Sequence, residues 1–152
     1  MATPLEEVYK SFLYKVRDYN FIRLNESGDL ENVLYNYLRG AIVRFDNCDK
    51  SLEINDDVKS FEEDLTFEEI EILSTIMVLM YVNGKIIDVK NTSLIMSEPD
   101  FKMHSQANHL DKMILLSKKI DSDVSELKNI YSLRKGLDDL AWWVNMEKLT
   151  KK

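Results

Sequence analysis

A single cysteine, Cys48, in 152 residues excludes an intrachain disulfide and any multi-cysteine zinc site. Four glycines and two prolines are too few for a turn-rich all-β protein. The two histidines, His104 and His109, are five apart, whereas a metal pair on one helix face needs a spacing of four. No glycine-rich phosphate loop, Gly-x-Ser-x-Gly elbow or His-Glu-x-x-His motif occurs, so the common nucleotide, hydrolase and metalloprotease sites lack their residues. A calcium-loop reading of Asp46, Cys48, Lys50 and Glu53 fails too, because a lysine stands where a ligand should and no glycine marks the turn. The paired carboxylates Asp56-Asp57 and Glu62-Glu63 lie in a loop with no nearby histidine or apolar pocket to separate their pKa values. The expectation is a protein without enzymatic activity, metal or cofactor. The opening residues are neither basic nor apolar and no uninterrupted apolar run reaches about 18 residues, so neither a secretory nor a membrane-spanning segment is expected.

What is present points to helices. Hydrophobic residues make up 45% and charged residues 31%, ordinary for one globular domain with a single core. The most apolar stretch, 65–95, opens with Thr66 and, three residues on, Glu69, the reciprocal pair of a capping box. Ile70, Leu73, Ile76, Met77, Met80, Tyr81, Ile87 and Leu94 follow at helical spacing, and Val78, Leu79 and Val82 fill the other side, so this helix is buried nearly all round. Asn83-Gly84 inside it is also a hairpin signal, but Met77, Leu79, Met80 and the helical start favour a kinked helix. Before it, Thr3-Pro4-Leu5-Glu6 predicts a second capping box and a helix from residue 4, with Leu5, Val8, Tyr9, Phe12, Leu13, Val16 and Tyr19 in one stripe ending near Asp18-Tyr19-Asn20. Phe21, Ile22 and Leu24 are expected to plug the bundle from a connection. Ser27-Gly28-Asp29 predicts a turn and a cap, and Leu30, Val33, Leu34, Tyr37, Leu38, Ala41, Ile42 and Phe45 a four-turn helix. Gly40 within that helix points to a closely crossing neighbour.

Periodicity fails between 46 and 64, apart from Ser51-Leu52-Glu53-Ile54, which reads as an edge strand or as a pin for the loop. Ser97-Glu98-Pro99-Asp100 ends the central helix. Leu110, Met113, Ile114, Ser117, Ile120, Val124, Leu127, Ile130 and Tyr131 then keep a narrow seam, and Gly136 after Arg134-Lys135 reads as the C-terminal stop. The expected fold is an all-α helical bundle over 1–136 with two long helices, an acidic loop and an extended tail at 137–152. In that tail Leu140, Trp142, Trp143 and Val144 form an apolar cluster suited to anchoring a partner. A tail folded back on its own bundle is the alternative.

The net charge of −7 is distributed unevenly. Residues 1–75 carry 17 acids against 8 bases, and residues 76–152 carry 10 against 12. Between 46 and 71 eleven acids, including Asp46, Asp49, Glu53, Asp56, Asp57, Glu62, Glu63 and Asp64, face only Lys50 and Lys59. This is either a solvated loop and helix start or a surface that repels nucleic acid or meets a basic partner. Specific nucleic-acid binding is not expected.

Three stretches carry a family resemblance. Met1-Ala-Thr-Pro-Leu-Glu-Glu-Val-Tyr9, Leu65-Thr-Phe-Glu-Glu-Ile-Glu-Ile-Leu73 and Phe101-Lys-Met-His-Ser-Gln-Ala-Asn-His-Leu110 resemble segments of the head-tail connector (adaptor, or head-completion) proteins of tailed bacteriophages. The resemblance covers about residues 1–136 and carries over no site residue. It implies a virion protein made in the host cytoplasm and placed in the neck. There it would form a homo-oligomeric ring of twelve subunits that joins the portal protein to the next neck or tail protein and extends the DNA channel. A different class fits the same composition: a small acidic helical regulatory or inhibitory binding protein, monomeric or dimeric.

Overall fold

The computed structural model describes residues 2–95 and 101–150, with side chains described for 2–92 and 107–149. The turn expected at Ser97-Glu98-Pro99-Asp100 and the side chains of Leu94 and His104 lie outside the described residues. The fold is an all-α bundle of five helices with one two-residue hairpin: α1 Leu5–Lys15, α2 Tyr19–Ser27, α3 Leu30–Arg44, β1 Ile54–Asn55, β2 Ser60–Phe61, α4 Phe67–Ile95 and α5 Phe101–Thr150.

The central helix α4 starts as its cap predicts. Thr66 Oγ1 accepts from Glu69 N at 3.3 Å and Glu69 Oε2 accepts from Thr66 N at 2.7 Å. The helix packs against α1, α3 and α5, burying Ile72, Leu73, Ile76 and Met77 completely, and runs through Asn83-Gly84 without a hairpin. An 18-residue stretch within Phe67–Thr92 has a mean hydropathy of 1.6, long and apolar enough to cross a membrane. Packing from three sides gives its apolar surface another use, and Lys15–Glu71 and Lys85–Asp18 ion pairs flank it. Ile86, not Ile87, faces inward. At Gly40 on α3, a Cβ would meet the Met80 Cε and lie 2.7 Å from its Sδ, which is the close crossing the glycine predicts.

Four expectations give way to longer-range contacts. Thr3 does not cap α1: its hydroxyl donates to Asp64 and accepts from Leu65 N, its backbone pairs with Phe61, and α1 begins at Leu5 behind an extended Pro4. The connection holding Phe21, Ile22 and Leu24 is itself helix α2, capped by Asp18 and closed by Gly28 in the left-handed conformation (φ 80°); Phe21 is buried, but Ile22 and Tyr19 are exposed. Strand pairing covers Ile54↔Phe61 and Asn55↔Ser60, one hairpin rather than an edge strand over 51–54. Finally, α5 does not stop at Gly136 but continues to Thr150, so 137–150 is helix and neither an irregular tail nor a segment folded back. Nothing within 4 Å opposes a Cβ at Gly136, and the helix passes through because no left-handed residue or competing contact ends it.

Candidate functional site

Antiparallel packing of α4 and α5 sets where α5 leaves the bundle. Asn83 meets Ser117, Glu69 meets Tyr131 and Glu68 meets Arg134, a register that runs out at the start of α4. A polar cluster fastens this last shared turn. Glu69, only 2% exposed, accepts from Lys50 Nζ at 3.0 Å and from the Tyr131 hydroxyl at 2.8 Å. Its burial alone would raise the carboxyl pKa, but the Thr66 N–H, Lys50 and Tyr131 together hold it below the usual carboxylate range. Burial and the Glu69 carboxylate push the Tyr131 phenol up. Burial also raises the half-buried Cys48 thiol, 3.9 Å from that phenol. Around it Asn47 donates to the Lys128 carbonyl and to Ser132, Lys128 pairs with Asp46, Lys135 with Asp49, and Arg134 with Glu68.

The eight acids singled out in sequence are all exposed, yet they do not form one bare surface. Asp46 and Asp49 are partners of α5 lysines. Asp56 accepts from the Tyr35 hydroxyl, Glu63 from Ser51 N and Asp64 from the Thr3 hydroxyl. Glu53, Asp57 and Glu62 stand in solvent on the hairpin and its flanks. Two of the eight, Asp46 and Asp49, therefore hold lysines of α5 in place, a role that composition alone did not reveal.

Beyond Lys135 the helix is on its own. Every residue from 136 to 149 is exposed, a projection of roughly 20 Å at 1.5 Å per residue. The predicted anchors Leu140, Trp142, Trp143 and Val144 lie on it at 62%, 59%, 64% and 53% exposure, with Leu137, Met146 and Leu149 beside them. The two indoles meet edge to face, with centroids 6.1 Å apart. The structure thus places the four anchors on one helix, although on more than one of its faces.

Two further features escaped the sequence reading. Leu13, Val16, Phe21, Ile22 and Leu30 line a shallow apolar groove where α1, α2 and α3 meet. In the adjoining groove the buried Tyr9 hydroxyl has no hydrogen-bond partner among the described residues, and burial, then Glu31, pushes its pKa up to about 12. Both depend on how three helices meet, which no local spacing encodes. Among the described residues no group of three or more His, Cys, Asp or Glu converges on a metal position. His109 is exposed. Comparison with known protein families, with curated proteins and with solved structures gives no match.

Proposed function

We propose that this chain is a non-enzymatic assembly subunit whose docking element is the projecting end of α5. The observation that carries the proposal is the fully exposed helix 136–149, which presents seven large apolar side chains. An exposed cluster of that size is an interaction surface in a folded protein, and tryptophans are the commonest kind of anchor in such surfaces. The polar cluster around Glu69 supports the same reading, because it holds the base of the projection at a fixed angle to the bundle.

The setting we propose is the neck of a tailed bacteriophage. The three connector-like stretches support it, as does the acidic character of the exposed hairpin. A DNA conduit works with weak contact, and clustered lysines there would hold the genome by its phosphates. In this setting the chain is a ring subunit between the portal protein and the next neck or tail protein, with no specific affinity for nucleic acid and none for membranes. The second reading, an acidic regulatory or inhibitory binding protein acting as a dimer, is favoured by one observation: the apolar residues at the base of the projection are spaced to fit a single partner helix.

The test compares the native mass of the full chain with that of a chain ending at residue 136. The expected result is a homo-oligomer for the full chain, and for the shortened one a monomer with an unchanged melting temperature. A monomeric full chain at all concentrations, or a truncation that lowers monomer stability by several kcal/mol, would remove the docking reading. A twelve-fold mass supports the ring, and a two-fold mass supports the second reading.

A further inference from the structure

Five exposed apolar residues of α5 form a single row. Ile130, Leu133, Leu137, Leu140 and Val144, all exposed, follow one another at spacings of three, four, three and four. That is the heptad pattern of a coiled-coil seam. At about 100° per residue this row is centred about 130° around α5 from Ile120, Val124, Leu127 and Tyr131, which pack on the bundle. From the geometry we infer that the seam is a two-stranded, parallel pairing surface for a second copy of this chain. The inference rests on the docking reading above, names the partner, and favours the dimeric setting over the ring.

Three properties of the seam select that occupant. With Ile130 at position a, the a row is Ile130, Leu137 and Val144 and the d row is Leu133 and Leu140. β-Branched residues at a with leucine at d favour two strands in parallel, and Ile130 and Val144 at the two outer a positions are β-branched. Secondly, the flanking e row carries Arg134, Ala141 and Lys148, and the g row Asn129, Gly136 and Trp143. A parallel pair sets each cationic e row along an uncharged g row, with Lys148 of one copy near the Trp143 ring of the other, a cation–π arrangement. Gly136 and Ala141 meet as small residues that let the backbones approach. An antiparallel pair would instead lay the two cationic rows side by side. Thirdly, the seam is bounded: Asp123 and Glu126 occupy the preceding a and d positions and Glu147 the following d position, so like charges stop the pairing at both ends.

Two heptads are short for a free coiled coil, since an isolated helix of that length is marginal in water. Here the first turn of the seam is already helical and fixed, because Tyr131 and Arg134 are tied to Glu69 and Glu68. The bundle lies on the far side of α5, so two copies join with their bundles outermost. Trp142 and Leu149 stay on the outer face of the pair, available to a different protein.

The test measures self-association of the full chain by sedimentation equilibrium. The expected species has twice the 17.8 kDa chain mass. Leu137→Glu with Leu140→Glu should weaken association by about tenfold or more without lowering helix content or melting temperature, whereas Trp142→Ala should leave it unchanged. Orientation is read by cross-linking: Leu133→Cys in a Cys48→Ser background should form an interchain disulfide on mild oxidation, since the two 133 positions adjoin only in a parallel pair. Association that survives the Leu137/Leu140 charges, or that Trp142→Ala abolishes instead, overturns the seam. Absence of the 133–133 cross-link in a dimer overturns the parallel orientation. If ending the chain at residue 136 abolishes association while the seam charges do not, the docking reading stands and this inference falls. If neither change affects association, both fall.

Discussion

Glu69 uses both oxygens of its carboxylate, and each holds a different part of the chain. Oε2 closes the cap of α4 on Thr66 and takes Lys50 from the acidic loop, while Oε1 receives the hydroxyl of Tyr131 from α5. Removing it leaves a buried phenol and a part-buried ammonium without their partner. We expect Glu69→Ala to cost about 3 kcal/mol, within the range for breaking a buried charged pair, and Tyr131→Phe about 1 kcal/mol, both read as shifts in urea midpoint. A loss under about 0.5 kcal/mol for Glu69→Ala, the size of a change at an unremarkable surface site, would show that the cluster fastens nothing. The cap was legible in sequence from the Thr66/Glu69 spacing alone. The link to Tyr131 was not, because 62 residues separate the partners.

At the scale of elements, two glycines in helices behave oppositely for a physical reason. Gly40 lies where α3 crosses α4, and a methyl group there displaces the Met80 thioether. Gly136 faces open space. Alanine is worth about 1 kcal/mol over glycine in a helix interior, so Gly136→Ala should slow hydrogen exchange of the amides around it by roughly fivefold. The melting temperature should not move, because the projection frays independently of the bundle. Gly40→Ala acts on global unfolding instead, and the lost Met80 packing should cancel the propensity gain. A rise in melting temperature at Gly40→Ala matching the local gain at Gly136→Ala would contradict this account of the crossing.

For the whole molecule, acid should loosen the bundle at two separate joints. Asp18 binds α2 to α4: its carboxylate accepts from the Tyr81 hydroxyl and from Asn20 N and pairs with Lys85. Chiefly through the Tyr81 hydrogen bond, its pKa is lowered from 3.8 to about 2. A carboxyl with a lowered folded pKa adds stability above its unfolded value, and that stability is lost as pH falls through the folded one. Asp18 therefore contributes fully above about pH 4, and its contribution fades toward about pH 2. Glu69, also lowered, acts in the same direction at the α5 joint. The urea midpoint of the full chain should fall across that window, and Asp18→Asn should flatten the fall while lowering stability at neutral pH. An unchanged slope in the variant would exclude Asp18 as a source of the acid response.

By itself, the sequence determined the class of fold, the burial of the central helix from Ile70 through Ile86, its start at Thr66, and the inward stripe of α5 through Val124 and Tyr131, although Ile87 of the first pattern and Ile130 of the second face outward. These are properties of short spacings, because helix caps and stripes join residues three or four apart. Tertiary structure alone decided three other matters. It drew Thr3 away from the helix it adjoins and toward Asp64 and Leu65, since a hydroxyl bonding across 61 residues leaves no local trace. It paired several of the exposed acids with the molecule's own lysines and hydroxyls. And it carried α5 past Gly136, because a glycine ends a helix only where the chain has somewhere else to go, and at that point the bundle no longer offers a surface to turn onto.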